Sequence, residues 1–191
     1  MVLYVIAVIL MLLMMLNTVM GIPMLTTKPH THHVCVFFYV WYREEDRVHW
    51  NDSIYTPVID MPVMGFYTSS DDNVIRWRLE RIVRAGIDCL FISWWGSGDY
   101  SDEVAKKVFS YLGSYGLRAA ILVEPFLGQN PLRYDKKFWK QVIEYIEREY
   151  ILKYRDSYMK LNGKPLILAF APVEMIYRPN VKDVAIRIVG T

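Results

Sequence analysis

The fold is decided by residues 87–124, which read IDCLFISWWGSGDYSDEVAKKVFSYLGSYGLRAAILVE. Two apolar runs, 87–95 and 117–123, have the length and composition of buried β-strands. Between them, apolar residues recur at helical spacing from the N-cap candidate Ser101 to the C-cap candidate Gly116. A strand, a helix and a second strand in this order predict a βαβ unit with parallel strands.

The same alternation continues on both sides of this unit. A β-rich run at 34–41 precedes it, and a helix pattern opening at 69–72 lies between the two. On the other side, a helix is predicted from Asp135, a strand over 165–170 and a fifth strand over 184–189. The pattern predicts an α/β fold, either an open doubly wound sheet or a (β/α)8 barrel. No glycine-rich phosphate loop follows any strand, which argues against a nucleotide site.

Length and composition limit the possible functions. The chain has 191 residues, 53% of them apolar, and a formal net charge of +2. This composition excludes a disordered tail, and the small charge offers no field for binding nucleic acid. The length is short for a complete barrel, which typically needs ~250 residues. Cys35 and Cys89 both lie in strand-like apolar runs, so we expect buried thiols rather than a disulfide.

The N-terminus is apolar enough to direct export. Residues 1–21 are interpreted as a signal peptide or, alternatively, as a membrane anchor through residues 2–20. Residues 22–33 form a linker with three histidines, and no acidic residue or cysteine at matching spacing completes a metal site. Residues 34–191 are the folded domain. A signal peptide predicts a secreted or extracytoplasmic location, and the alternative predicts the same location with a membrane anchor.

Aromatic and acidic side chains stand at the ends of consecutive predicted strands. They stand in the segments Tyr39-Val40-Trp41-Tyr42, Ser93-Trp94-Trp95 and Glu124-Pro125-Phe126. Flat aromatic rings cover the C–H face of a pyranose, and carboxylates bind its hydroxyl edge, so the set indicates a carbohydrate site. Strand alternation sends one of the two tryptophans into the core and the other to the opposite face. Glu124 is flanked by apolar residues, which favours the neutral acid.

Several short motifs resemble glycoside hydrolase family 99, which includes the endo-α-1,2-mannosidases. They are Phe38-Tyr39-Val40-Trp41-Tyr42, His49-Trp50-Asn51, Gly65-Phe66-Tyr67-Thr68-Ser69-Ser70-Asp71, Ala85-Gly86-Ile87-Asp88, Ser93-Trp94-Trp95-Gly96, Tyr115-Gly116-Leu117, Glu124-Pro125 and Gly163-Lys164-Pro165-Leu166. The resemblance covers about residues 34–170. It implies a (β/α)8 barrel and retaining cleavage of internal α-mannosidic bonds, without metal or organic cofactor. It also implies sugar subsites lined by Tyr39, Tyr42, His49, Trp94, Trp95 and Glu124.

The sequence departs from this family in its carboxylates. The family carries two catalytic glutamates in a late Glu-Trp-His-Glu type segment, and no such segment follows the strand at 165–170. Glu144 and Glu147 have the same spacing, but they are predicted on the solvated side of a helix. Retaining cleavage needs two carboxyl groups, and Glu124 is the only candidate acidic site residue.

Two interpretations of the domain therefore stay open. In the first, the chain is a truncated or split glycoside hydrolase with the first four to five βα units of an incomplete barrel. It would then need a complementing C-terminal half or self-association to cover its sheet edges. In the second, it is an exported protein with a non-catalytic carbohydrate-binding or structural role. In either case an oligosaccharide or glycan is the expected partner of a sugar-binding cleft.

Overall fold

The computed structural model describes residues 32–47, 49–50, 60–124, 136–170 and 185–189, the last segment by its backbone alone. The predicted leader and most of the predicted linker lie outside these residues. Within the described part of the chain, none of the helices combines the length and the apolar character needed to cross a membrane.

A parallel sheet forms the centre of the described fold. Its strands are β1 (Cys35–Phe38), β2 (Cys89–Trp94), β3 (Arg118–Val123), β4 (Lys160–Leu161), β5 (Lys164–Phe170) and β6 (Ala185–Val189). The neighbours in the sheet, in order, are β1, β2, β3, β5 and β6, and all of these run parallel, while β4 pairs antiparallel with β5 in a tight hairpin. Each predicted strand is present, and the α/β class is confirmed. The parallel strands follow chain order without the reversal of a doubly wound sheet.

Helices connect the parallel strands. They are α1 (Asp72–Arg84), α2 (Tyr100–Leu112) and α3 (Lys136–Ile146), with a 3₁₀ turn over Gly113–Tyr115 and a π-helical turn over Glu147–Ile151. The Asp71 carboxylate caps α1 by accepting the backbone N–H of Asn73 at 2.7 Å. The carboxylate of Asp99 caps α2, two residues before the predicted Ser101. Gly116 ends the α2 region at φ 65°, a left-handed backbone that favours glycine.

Alternation along the strands divides the core into two faces. Leu90, Ile92 and Trp94 of β2 point toward the helices, where they join the main apolar core. Cys89 and Phe91 point to the opposite face, which we call the inner face of the sheet. The helices cover the first face with the apolar residues predicted from their spacing. The exception is Val83 of α1, which is 43% exposed.

The expectation of free thiols is wrong. Cys35 and Cys89 form a disulfide that joins β1 to β2 on the inner face. The two residues are direct partners in the parallel register, and their Cα atoms are 4.5 Å apart. This spacing is within the range that a disulfide spans. The thioether sulfur of Met159 lies 3.9 Å from the sulfur of Cys35, so the bridge is part of a sulfur-rich apolar layer.

Candidate functional site

Five aromatic side chains meet beyond the carboxyl ends of β1 and β2. Trp41 is at their centre: its ring stacks on Tyr39 with centroids 4.7 Å apart and meets Trp95 edge-on at 5.3 Å. His49 lies 5.2 Å and Tyr42 lies 6.4 Å from the same indole ring. We call these five residues the aromatic cluster. It presents several flat ring surfaces at one end of the sheet.

Alternation and an unusual backbone bring the cluster together. Tyr39 and Trp41 continue the inner-face positions of β1, two and four residues after Phe37. His49 has a φ of 62°, which is uncommon for a residue with a Cβ and places its imidazole against Trp41. Strained backbone of this kind often marks functional sites. Tyr42 is held by Ser69, whose hydroxyl accepts its backbone N–H at 3.2 Å.

The cluster rests on a second layer from the α1 side. The Arg78 guanidinium donates a hydrogen bond to the carbonyl of Tyr39 at 3.0 Å and lies 3.8 Å over the ring of Phe38. Burial lowers the pKa of Arg78, although arginine stays charged at neutral pH. The indole N–H of Trp50 donates to the carbonyl of Tyr67 at 2.8 Å, and its ring lies 4.4 Å from Tyr42. These contacts fix the backbone that carries the cluster.

Glu124 follows β3 beside the cluster. Its backbone N–H donates to the carbonyl of Trp94 at 3.0 Å, so the parallel pairing continues past the strand end and sets Glu124 next to Trp95. The carboxyl group is 7% exposed and accepts a hydrogen bond from the Ser93 hydroxyl at 2.6 Å. Burial raises the pKa of Glu124, and the Ser93 bond opposes this rise. The site therefore holds a carboxyl group whose proton is retained to higher pH than usual.

Trp94 lies on the other side of the sheet. Its ring is 1% exposed and stacks on Tyr145 of α3 at 5.8 Å. Its indole N–H donates to the buried carboxylate of Asp102 at 2.8 Å. Tyr150, Tyr145 and Lys106 donate to the same carboxylate. Burial acts to raise the pKa of Asp102, but these hydrogen bonds outweigh it, and the pKa is lowered.

Four of the six predicted site residues meet in the cluster, namely Tyr39, Tyr42, His49 and Trp95. Glu124 lies on the neighbouring strand end, and Trp94 is separated from them by the sheet. Two contributing residues were missing from the predicted set: Trp41, the centre of the cluster, and Ser93, the partner of Glu124. The period-two alternation along 35–41 and 89–95 contained the signal for both. Glu144 and Glu147 are exposed, as predicted.

The described residues offer the cluster rings and one carboxyl group as their functional chemistry. Among these residues, no three histidine, cysteine, aspartate or glutamate side chains come together as a metal site would require. The arrangement combines flat apolar rings with a carboxyl–hydroxyl pair at their edge. Such a surface suits a ligand that has one apolar face and a rim of hydroxyl groups.

Comparisons with known proteins agree on one family. The sequence model of Glycosyl hydrolase family 99 matches residues 47–179. A Glycoprotein endo-alpha-1,2-mannosidase-like protein from Homo sapiens is 23% identical over 127 residues, which are 50% of this chain and 28% of that protein. A Glycoprotein endo-alpha-1,2-mannosidase from Xenopus laevis is 22% identical over 183 residues, 80% of this chain and 40% of that protein. The chain thus spans less than half the length of these curated relatives.

Solved structures agree with the sequence comparisons. A GH99 endo-alpha-mannosidase from Bacteroides thetaiotaomicron, in complex with BIS-TRIS-Propane, superposes with a TM-score of 0.57 at 25% identity. The superposition covers 72% of this chain and 42% of that one. A second structure of the GH99 endo-alpha-mannosidase from this organism gives a TM-score of 0.58 at 22% identity, covering 72% and 44% of the two chains. This second likeness concerns the fold alone.

Proposed function

The chain belongs to glycosyl hydrolase family 99, and from this premise we propose that its aromatic cluster binds an α-mannose-containing glycan. The observation that carries the proposal is the contact of Trp41 with Trp95, because it joins two strand ends into one aromatic surface beside Glu124. One curated relative is named an endo-alpha-1,2-mannosidase and the other an endo-alpha-1,2-mannosidase-like protein. An α-1,2-linked mannoside is therefore the ligand class that we assign.

The chemistry of a mannoside matches the surface. Its pyranose ring has C–H groups that pack on an indole or phenol ring, and hydroxyl groups that need hydrogen-bond partners at the edge. Trp95 and Trp41 supply the rings. The Glu124 carboxyl group accepts or donates a hydrogen bond there, and Ser93 holds its orientation. Because the cluster is already packed, binding orders few side chains, and little conformational entropy is lost.

We further propose that the five parallel strands are part of a (β/α)8 barrel. Their sequential order and the helix that follows each of the first strands support this assignment. The GH99 structures that superpose on the chain support it too. In such barrels the active face is at the carboxyl ends of the strands. The aromatic cluster and Glu124 occupy that position.

Hydrolysis requires more than the described residues offer. A retaining glycosidase places two carboxyl groups about 5 Å apart across the bond that it cleaves. The raised pKa of Glu124 favours an acid role for it. Glu144 and Glu147 are on the helical side, away from the inner face. We therefore propose glycan binding as the function of this region, with cleavage dependent on a second carboxyl group opposite Glu124.

The disulfide supports the proposal of an exported protein. Disulfides persist in oxidising compartments and are rare in the cytosol, and Cys35 is joined to Cys89. The apolar residues 1–21 have the composition of a leader. We propose a secreted or extracytoplasmic location, where glycoprotein glycans are available as ligands.

Calorimetric titration with α-1,2-mannobiose tests the binding proposal. We expect the wild-type chain to bind and Trp95→Ala to lose about tenfold in affinity, or about 1.4 kcal/mol, because the sugar loses the apolar contact with one ring face. Trp77→Ala is the matched control, because Trp77 lies on α1 beneath Arg81, away from the cluster. Equal binding by wild type and Trp95→Ala would contradict the assignment of the cluster. Release of shorter oligosaccharides from a longer α-1,2-mannoside, measured in parallel, tests cleavage of internal bonds.

A further inference from the structure

A second cavity adjoins the aromatic cluster on the far side of Trp95. It has a volume of about 610 Å³ and lies between the loop after β2 and α3. Trp95, Phe138, Gln141, Val142 and Tyr145 are among its lining residues. Trp95 belongs to both places: it meets Trp41 in the cluster and also forms a wall of this cavity. The cavity is therefore contiguous with the proposed glycan surface.

The walls of this cavity are fixed before any ligand arrives. The backbone N–H of Trp95 donates to the Ser101 hydroxyl at 2.8 Å, and that of Gly98 donates to the Asp102 carboxylate at 3.1 Å. Gly98 has a φ of 77°, which a residue with a Cβ would adopt only with strain. Tyr145 donates to the same Asp102 carboxylate from α3. One buried carboxylate thus ties both walls together, so the cavity is preorganised.

The lining of this cavity combines an apolar wall with the carboxamide of Gln141. Phe138, Val142 and the ring of Tyr145 form a continuous apolar strip along α3. The carboxamide of Gln141 lies one turn from Phe138, is exposed and makes no hydrogen bond to any part of the chain that the structure describes. A carboxamide both donates and accepts, as a sugar hydroxyl does. An apolar wall with a carboxamide at its rim is suited to a sugar ring.

We propose that this cavity is an additional saccharide subsite, which binds a sugar unit of the same glycan beyond the units held on the aromatic cluster. The inference rests on the proposed glycan binding, and it assigns Gln141 as a residue that determines how long a glycan the protein prefers. Trp95 separates the two subsites: two sugar units lie on the cluster side, and the units that follow them lie on the α3 side. The proposal makes affinity depend on chain length.

Titration with α-1,2-mannobiose and α-1,2-mannotetraose tests this subsite on the full chain. We expect the wild type to bind the tetraose about tenfold more tightly than the biose. Gln141→Ala should weaken tetraose binding about fivefold, the effect of one lost hydrogen bond. Gln141→Trp should narrow the cavity and lower tetraose affinity toward that of the biose. Both variants should bind biose like the wild type, because Gln141 does not touch the cluster.

Lys140→Ala and Lys140→Trp are the matched controls. The Lys140 side chain is 74% exposed, is not among the described residues that line the cavity, and forms a surface ion pair with Glu144. Urea unfolding of each variant verifies that the fold is retained. The subsite would be overturned if the wild type bound the two sugars with equal affinity, or if Gln141→Trp left tetraose binding unchanged. In both cases biose binding by the wild type would still support the proposed function. Absence of binding to both sugars would overturn both proposals.

Discussion

Reduction of the Cys35–Cys89 disulfide should lower the free energy of unfolding by about 4 kcal/mol. The two cysteines are 54 positions apart in the sequence. Closing a loop of that length removes about 14 cal/mol/K of entropy from the unfolded chain, which corresponds to about 4 kcal/mol at room temperature. This is a large part of the ~5–15 kcal/mol that stabilises a typical domain. The disulfide is thus expected to be a main source of stability.

Urea titrations of the oxidised and reduced chain, followed by far-UV circular dichroism, measure this effect. Cys89 is 1% exposed, so reduction of the folded chain will be slow. The chain is therefore unfolded in urea with dithiothreitol and refolded before titration. With a slope of about 2 kcal/mol/M, the midpoint should fall by about 2 M. A double variant, Cys35→Ala with Cys89→Ala, is the control and should give the same curve with and without the reductant.

Two results would refute this reasoning. Superimposable curves for the oxidised and reduced chain would show that the bridge does not restrict the unfolded state. Two reactive thiols per chain, titrated in urea before any reductant is added, would show that the bridge does not form. A midpoint shift in the double variant on adding dithiothreitol would instead assign the effect to the reagent.

Three further changes have defined outcomes. Asp102→Asn should lower the free energy of unfolding in urea by about 3 kcal/mol, because it removes the charge that Lys106 and four other donors contact. Glu103→Gln, at the exposed neighbouring position, should change it little. Glu124 has a folded-state pKa above its ordinary 4.5, so the folded chain holds the proton longer and its stability falls as pH rises through that window. The free energy of unfolding of Glu124→Gln should therefore match that of the wild type below about pH 4 and exceed it increasingly as the pH rises toward 7. A difference between the two proteins that does not change with pH would contradict the raised pKa of Glu124. Arg78→Lys loses the planar guanidinium contact to the Tyr39 carbonyl and should weaken α-1,2-mannobiose binding about fivefold in calorimetry, whereas unchanged binding would show that Arg78 does not position the cluster.

The strands and helices could be predicted because their signals are local. An unbroken apolar run such as 117–123 has few alternatives to a buried strand, and the structure places β3 at Arg118–Val123. The first residue of α2 does not follow from the sequence in the same way, because Asp99 and Ser101 are both good N-cap residues and are only two positions apart. A cap at Asp99 accepts the backbone N–H of residue 101 or 102, and a cap at Ser101 would accept that of residue 103 or 104. Asp99 caps the helix, and its carboxylate also accepts the Ser101 hydroxyl.

The two faces of the sheet could not be predicted from one strand at a time. Trp94 and Trp95 have the same chemistry, and alternation states only that they point in opposite directions. Deciding between them requires the phase of β2 relative to its neighbours. The disulfide was missed for the same reason, since the sequence positions of two cysteines do not show whether their strands are paired in register.

The pairing of Cys35 with Cys89 contains the information that was missing. Trp41 is six positions after the first cysteine, and Trp95 is six positions after the second. The strands β1 and β2 are parallel, and these cysteines lie opposite each other. An equal number of residues counted along each strand from its cysteine therefore ends at neighbouring positions on the same face of the sheet.

The same step of six positions extends to the third strand. Arg118 of β3 is the register partner of Cys89, and six positions after it comes Glu124. The rule therefore places Trp41, Trp95 and Glu124 side by side, and the 5.3 Å contact between the two indole rings agrees. A slip of one residue in β2 would instead turn Trp94 to the inner face and bury Trp95 among the helices. The disulfide joins the first residues of this register, so it opposes such a slip and fixes which tryptophan lies in the aromatic cluster.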